Sequence, residues 1–370
     1  MKIIGLINDK LIPYSRCNSN PIQIAENEIK VGTLDVNKPR FDKGSYKNSG
    51  FVLIKVLSFS CNYRDKAIIV KNGNKINYGL ESEASPISYF GSDFVGEVIA
   101  IGPDVKDLKI GDRVIPDCAY PDAPAPNVAP GVVTNEASKG WLRLHHSKLL
   151  KIDTKISNNI AAGFSIGGQT SESMIRRSNI NSTERALVLS ARSNTSLFII
   201  RGLLNRGINT TILSTTPWSK EELSTVQGAE YFYMERKNIK WPDILGKFDV
   251  IFDPFFDLHI GTAVNHLNVG GRYITCGYKN QHKTFYEPTD YVIENKLQDI
   301  MLQVMINNIS IIGNCIGTTE DLVQAIRRYD IKNPPFKIYG SFTPNNGDDF
   351  LHQTYNVNAR FGKVIMNYRE

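Results

Sequence analysis

The chain lacks most of the features that announce specialised proteins. Its five cysteines, Cys17, Cys61, Cys118, Cys276 and Cys315, are odd in number, scattered, and never form a Cys-x-x-Cys pair. That pattern excludes a disulfide framework and a cysteine-rich structural zinc site, and it points to a reducing, cytoplasmic compartment. No run of about 18 apolar residues occurs, so no transmembrane helix is expected. The opening MKIIGLINDKLIPYSR turns polar after Ile7, too early for a secretory signal. A basic stripe with interleaved aromatics is also missing. The net charge is only +6, and the densest clusters are Arg236–Lys240 and Ile326–Lys332. Neither nucleic acid nor a membrane is therefore an expected partner. What is left, 370 residues with 41% hydrophobic and 22% charged content, is an ordinary globular composition with room for two domains.

Up to about Ala119 the chain reads as short β-runs separated by turns. FVLIKVLSFS (Phe51 to Ser60), FVGEVIAIG (Phe94 to Gly102) and KIGDRVIP (Lys109 to Pro116) are strands, and a proline-rich loop from Asp117 to Gly140 follows. WLRLHHSKLLKID returns to strand-like alternation. From about Ile156 the texture changes to alternating helix and strand. IAAGFSIGGQTSESMIRRS reads as a helix interrupted at Gly-Gly. RALVLS, NTTILST, FDVIFDPF and GRYITCG read as strands, and SLFIIRGLLNRG, SKEELSTVQG and LHIGTAVNHLNVG as the helices between them. Such alternation implies a parallel sheet with crossover helices, which NISIIGNCIG (Asn308 to Gly317) extends. Helix TEDLVQAIRRY then leads to ARFGKVIMNY.

Within this pattern ALVLSARSNTSLFII (Ala186 to Ile200) has the strand, turn and helix of a nucleotide-binding unit but no glycine. Ser190, Ser193 and Ser196 stand where a dinucleotide turn uses Gly for positive φ and for close approach to pyrophosphate.

GSDFVGEVIAIGPDV…KIGDRVIP, and the register of VLIKVLSFSCNYRD, resemble the GroES-like catalytic domain of medium-chain dehydrogenases/reductases. The resemblance runs from about Phe51 to Met366. It implies an α/β fold: a β-rich GroES-like catalytic domain (1–155), a Rossmann doubly wound parallel-sheet cofactor domain (156–318), and a segment (319–370) returning to the catalytic domain. The positions equivalent to the family's three catalytic zinc ligands fall on Asn62, Ser92 and Ile166, which cannot make that site. His145 and His146, adjacent on a strand, are expected to face opposite ways. No metal is expected. Asn62-Tyr63-Arg64-Asp65 resembles the Asn-[Tyr/Phe]-Arg-Asp segment of the zinc-independent quinone and enoyl reductases, which lies beside the nicotinamide. The resemblance thus puts Asn62, Tyr63 and Arg64 at the catalytic centre. Tyr63 has two readings, a hydrogen-bond or proton donor to a developing enolate and a half-buried aromatic walling the cleft. Asp65 is expected to pin Arg64 or backbone amides. The tyrosine that some relatives carry five residues after the Asn is Ala67 here, which leaves Tyr63, Tyr78 and water as candidate proton donors.

In the same relatives the nucleotide turn has the form Ala-x-x-Gly-x-x-Gly, and its register here is Ser190-Ala191-Arg192-Ser193-Asn194-Thr195-Ser196. Asn194 is expected to take the left-handed position. The hydroxyls of Ser193 and Thr195 suit phosphate at a helix N-terminus, and Arg192 suits it as a charged donor. After the next strand, Ser214, Thr215, Thr216 and Lys220 replace the carboxylate that would grip the ribose of NAD, so NADPH is the expected cofactor. By resemblance Thr170, Pro254, Gly277, Tyr278 and Lys363 also line up with the cofactor site, and turn or packing duty is the alternative reading of each. The implied activity is hydride transfer from NADPH to a polarised C=C bond. Acceptor classes are quinones, enones, enoyl thioesters and dehydroamino acids, the last as in the lanthipeptide (lantibiotic) dehydroalanine and dehydrobutyrine reductases of this superfamily. The substrate is then a small molecule or a peptide with an activated alkene. A nucleotide-free, non-catalytic binding protein is the alternative from another class. NISIIGNCIG is an edge strand suited to pair with its copy in a homodimer.

Overall fold

A computed structural model describes residues 1–8, 18–78, 86–235, 241–285 and 297–368. The Arg236–Lys240 cluster and Cys17 lie outside the described residues, as does the side chain of Tyr78. The chain divides into two compact units. The first comprises Met1–Ile166 and Lys337–Glu370, and the second Gly167–Phe336.

In the first unit, β1 (Lys2–Ile7), β2 (Asn18–Ile24) and β3 (Asn27–Asp35) precede the long strand β4 (Phe51–Ser60). Helix α1 (Tyr63–Tyr78) follows, then β5 (Ile87–Ser88) and β6 (Asp93–Ile101). The early strands form a small sheet in the order β2-β3-β1-β5. Helix α1 corrects the expectation of β-runs throughout. Its Ala67-Ile68-Ile69-Val70 run has strand-like composition, but Ile69, Val70 and Ile76 are buried along one helical face. Asp65 in its first turn accepts a hydrogen bond from the Asn62 amide at 2.8 Å, which helps fix where the helix starts.

Next come β7 (Arg113–Pro116), β8 (Trp141–His145), β9 (Leu149–Lys151) and the short α2 (Asn158–Ala161), capped by Ser157. Helix α3 (Ser165–Ser178) runs unbroken through Gly167 and Gly168, so the interruption expected there falls earlier, at 162–164. A Cβ on Gly167 would lie 2.8 Å from the Phe198 ring, so this glycine serves close packing between helices.

The second unit continues with β10 (Arg185–Val188), α4 (Asn194–Leu204), β11 (Asn209–Ser214), α5 (Lys220–Ser224), β12 (Glu230–Tyr233), β13 (Phe248–Asp253), α6 (Phe256–Ala263) and β14 (Leu267–Thr275). It ends with α7 (Leu297–Ile306), β15 (Ser310–Gly313) and α8 (Thr319–Arg327). All six strands are parallel, in the order β12-β11-β10-β13-β14-β15. That is the doubly wound order, with the switch point between β10 and β13. Leu187, Phe248, Ile251, Tyr273 and Trp241 fill one face of this core. The helix expected over LHIGTAVNHLNVG stops at Ala263. Leu267 instead pairs with Phe248 as β14 begins, and Gly270, at φ 76°, accommodates the irregular register.

The chain returns to the first unit at Lys337, not at residue 319. Helix α8 belongs to the second unit, because Arg176 grips Asp321 with two bonds of 2.8 and 2.9 Å and Gln169 donates to the Thr318 carbonyl at 2.9 Å. The returning β16 (Ile338–Phe342), α9 (Gly347–Tyr355) and β17 (Lys363–Asn367) complete the larger sheet, β16-β17-β4-β6-β7-β9, with β8 also on β4. Around Phe59 pack Phe90, Phe350 and Tyr368, with ring centroids 6.0, 5.4 and 5.5 Å away.

The entry into β17 depends on Gly362. Its φ is 98°, and a Cβ there would collide with the Lys337 carbonyl oxygen, which accepts the Lys363 amide at 2.9 Å. Gly362→Ala is expected to destabilise the protein by more than about 1 kcal/mol, read as a lowered urea midpoint. An unchanged midpoint would remove this account of the glycine.

Candidate functional site

Three adjacent chain segments of the first unit meet in a buried polar cluster. Asn62 lies between β4 and α1, Ser92 and Asp93 at the start of β6, and Lys363 at the start of β17. The strand pairings Ser60↔Asp93 and Phe59↔Met366 bring them together. The Asn62 amide nitrogen donates to Asp93 Oδ2 at 2.9 Å and contacts Ser92 Oγ at 3.1 Å, and its Oδ1 accepts Lys363 Nζ at 2.7 Å. Lys363 Nζ is also 4.0 Å from Asp93 Oδ2. Asp93 Oδ1 accepts the Ile166 amide at 3.0 Å. Ser92 Oγ donates to Asp65 Oδ2 at 2.6 Å, and Arg64 binds Asp65 at 3.0 Å and Asn135 at 2.8 Å. The Tyr355 hydroxyl donates to the Asn62 carbonyl at 3.1 Å.

Asp65, Ser92, Asp93 and Lys363 are all buried. Burial pushes the Asp65 and Asp93 carboxyls up, against the opposing pull of Arg64 on the first and Lys363 on the second. Burial likewise pulls the Lys363 ammonium down, with Asp93 opposing. The adjacent Cys61 thiol is pushed well up by burial and by Asp65, so it is no thiolate nucleophile.

These contacts redistribute the expected roles. Both Asn62 amide protons face Ser92 and Asp93, leaving none to stabilise an enolate. Arg64 uses Nη1 on Asp65 and Asn135, so it is the partner that Asp65 is expected to pin. Tyr63 opens α1 half-buried, with Lys66 Nζ 6.0 Å from its ring centroid. Lys363, expected at the cofactor site, lies inside the polar cluster. Asp93 and Tyr355 were not singled out in the sequence. A carboxylate directly before the apolar run FVGEVIAI was the one available signal.

A zinc ion does not fit. The three ligand-equivalent positions do converge, but as an amide, a hydroxyl already donating to Asp65, and a main-chain N–H. Among the described residues no group of three His, Cys, Asp or Glu side chains suits a metal. His145 and His146 do not face apart as expected. Strand β8 ends at His145, a 3-10 turn begins at His146, and the rings lie 4.8 Å apart. Each is held elsewhere, by Ser147 and Asp107.

In the second unit, Ser190 rather than Asn194 adopts the left-handed conformation, at φ 46°. Asn194 is already helical, and Ser193 is the N-cap of α4, accepting the Ser196 amide at 3.1 Å. Ser196 is buried and donates to the Leu189 carbonyl at 2.8 Å. The turn therefore keeps the positive φ and a helix N-terminus, where Ser193, Asn194 and Thr195 are half-buried. The gripping side chains differ from expectation. Arg192 is held by Glu222 at 2.6 and 3.1 Å and stacks 5.9 Å from Trp218. The Ser214 hydroxyl donates to the Thr216 carbonyl at 2.7 Å and accepts Trp218 Nε1 at 3.1 Å. Thr216 is half-buried, and Lys220, the first residue of α5, is exposed.

Pro254 and Gly277 are brought together across the ends of β13 and β14. The Gly277 carbonyl accepts the Phe256 amide at 3.1 Å, and a Cβ on Gly277 would sit 2.9 Å from the Pro254 oxygen. Tyr278 beside them is 46% exposed, and Thr170 on α3 is buried. Preceding Pro254, Asp253 is fully buried and accepts the Tyr273 hydroxyl at 2.5 Å and His259 at 3.0 Å.

Residues 48–143 match the alcohol dehydrogenase GroES-like domain. Among solved structures the chain is similar to a cobalt- and zinc-bound thermostable alcohol dehydrogenase from Pyrobaculum aerophilum, with 18% identity over 99% of this chain and 100% of that one, at a TM-score of 0.68. Escherichia coli quinone oxidoreductase complexed with NADPH aligns with 12% identity over 99% and 100%, at 0.69. The 2-octenoyl-CoA carboxylase reductase CinF, in complex with NADP and 2-octenoyl-CoA, aligns with 16% identity over 99% and 87%, at 0.70. The chain has the medium-chain dehydrogenase/reductase fold. No curated protein sequence matches it. Because this fold is shared by a metal-bound alcohol dehydrogenase and by a quinone oxidoreductase, the donor set must decide between chemistries.

The Arg192–Glu222 pair carries its own pH signature. Burial works to raise the Glu222 carboxyl, but the bonds from Arg192 and the helix cap outweigh it and leave it below its ordinary value. Its stabilising contribution is therefore complete above the ordinary glutamate range and is lost as pH falls through the depressed value. Glu222→Gln is expected to cost about 1–2 kcal/mol at neutral pH, with the difference from wild type closing in acid. Urea titrations at two pH values check this, and a pH-independent difference would contradict it.

Proposed function

We propose that this protein is an NADPH-dependent, zinc-independent reductase of polarised C=C bonds. The observation that carries this reading is the donor set of the first unit. Asn62, Ser92 and Ile166 form no metal site, so the electrophile is a carbonyl-binding arrangement of side chains and not a Lewis acid of the kind that activates an alcohol. The glycine-free turn supports a bound dinucleotide through the Ser190 conformation and the α4 N-terminus, and the lack of a carboxylate at the end of β11 favours the 2′-phosphate. When bound, the dinucleotide supplies the hydride. Hydride delivered to the β-carbon of an alkene conjugated to a carbonyl would move the π pair to the carbonyl oxygen, and the α-carbon would then take a proton from Tyr63 or from water, for a net gain of two hydrogens.

Among acceptors, a dehydroalanine or dehydrobutyrine residue of a lanthipeptide precursor, reduced to a D-amino acid, is the reading favoured by the loop 117–140, whose middle, Tyr120 to Pro130, is mostly exposed and could meet a peptide. This segment is less open than its sequence suggests. Lys148 Nζ pins it at the Ala129 and Gly131 carbonyls, at 2.8 and 2.7 Å. A small quinone or enoyl thioester is the alternative acceptor. The engagement of Arg192 by Glu222 and of Ser214 by Trp218 favours one second reading, a nucleotide-free binding protein. The four described cysteines are free thiols, which supports a reducing, cytoplasmic compartment. Among the described residues no helix is long and apolar enough to cross a membrane.

Fluorescence titration with NADPH and NADH, followed by mass spectrometry of a dehydroalanine peptide incubated with NADPH, tests the proposal. Low-micromolar NADPH binding, weaker NADH binding and a gain of two hydrogens are expected. Binding without the mass change moves the acceptor to small molecules, and no binding of either nucleotide leaves the binding-protein reading.

We further propose a homodimer through β15, an edge strand carrying the exposed Ile311. Beside it in sequence, α7 exposes Leu297, Met305 and Ile306. Ile311→Lys is expected to convert the dimer to a monomer in analytical ultracentrifugation, and a monomeric wild type would refute this.

A further inference from the structure

We propose that the ammonium of Lys363 is the resident cation of the first unit's site and binds the oxygen of an acceptor carbonyl or its enolate there. Asn62 uses both amide protons on Ser92 and Asp93, and Ser92 uses its hydroxyl on Asp65. Arg64 spends Nη1 on Asp65 and Asn135, and with its side chain 35% exposed its other N–H groups can be met by water. The Lys363 ammonium makes one hydrogen bond among the described residues, to Asn62 Oδ1 at 2.7 Å, and keeps a longer 4.0 Å contact with Asp93. An ammonium has three protons, so two remain for an acceptor.

Leaving a charge 2% exposed with most of its donors unengaged is costly unless a ligand uses them. A second unengaged donor lies on the segment that holds Asp93. The Ser165 hydroxyl is buried and bonded to nothing among the described residues, one position before the Ile166 amide. Asp93 and the amide of Asn62 hold the ammonium in place, and the surrounding burial weakens competition from water. An oxygen gaining negative charge is therefore stabilised without reorganisation. The disagreement with the metal-bound relative thus has a physical content: the positive charge is built from a side chain on β17 and not imported. This inference names the electrophile of the proposed reduction, and rests on that reading only for identifying the oxygen as one of a conjugated carbonyl.

The test uses 4-nitrophenol on the full-length protein, at a pH below the probe's own pKa, where the free probe is the colourless phenol. Wild type is expected to bind it as the yellow phenolate. Because Lys363→Met alone strands the Asp93 charge, the double variant Asp93→Asn/Lys363→Met is measured beside it, with its thermal midpoint as a folding control. Loss of about tenfold to a hundredfold in phenolate affinity by a folded double variant, with partial retention by Lys363→Arg, supports the proposal. Retention of the phenolate band by the folded double variant overturns it. So does a wild type that leaves the probe neutral, whatever the variants do. A wild type that ionises the probe yet reduces no alkene with NADPH keeps this oxyanion site and removes the reductase reading, so the two failures are distinct.

Discussion

The first unit is organised around a buried ammonium that cannot be left alone. Lys363 sits among Asn62, Asp93 and, one residue further out, Asp65. An isolated charge in that environment would cost several kcal/mol, about the scale of a domain's whole stability. The cluster is tolerable because its charges balance and most of its lone pairs are occupied: Asp93 by Asn62 and Ile166, Asp65 by Ser92, Arg64 and the Asn62 amide. The balance requires β17 to lie on β4 and β4 on β6, so the C-terminal return of the chain is part of the site and not an appendage to it.

The second unit shows a different constraint. A nucleotide turn needs a residue at positive φ and a helix whose first amides face outward. Ser190 supplies the first against its steric preference, and the Ser193 cap on α4 sets the second. Around this frame the side chains satisfy one another. Arg192 and Glu222 neutralise each other, and Trp218 closes over Ser214.

The medium-chain dehydrogenase/reductase fold leaves the chemistry open, since a metal-bound alcohol dehydrogenase and a quinone oxidoreductase share it. What distinguishes this chain is a few groups: an amide, a hydroxyl and a main-chain N–H that converge on Asp93 and Asp65, and a lysine that enters from another strand.

Much of the architecture was legible in the chain by itself. The apolar run at Phe51–Ser60 and the β–α alternation from Arg185 onward pointed to the two larger of the three sheets, because side-chain periodicity is a local property. Helix α1 was hidden, since its β-branched run is helical only by virtue of the surface it packs against. The positive φ at Ser190 was assigned to Asn194, because intrinsic tolerance was weighed without the cap at Ser193. The hydrogen-bond partners of Asn62, Arg192, Ser214 and Lys363 were not legible at all. Each depends on a partner between 4 and 301 positions away, and only the folded chain decides which lone pairs and protons are already taken. Sequence alone set the residue types and the fold that gathers them. The tertiary structure decided which of their hydrogen-bonding groups remain for a ligand, because burial and pairing belong to the assembly and not to any residue in it.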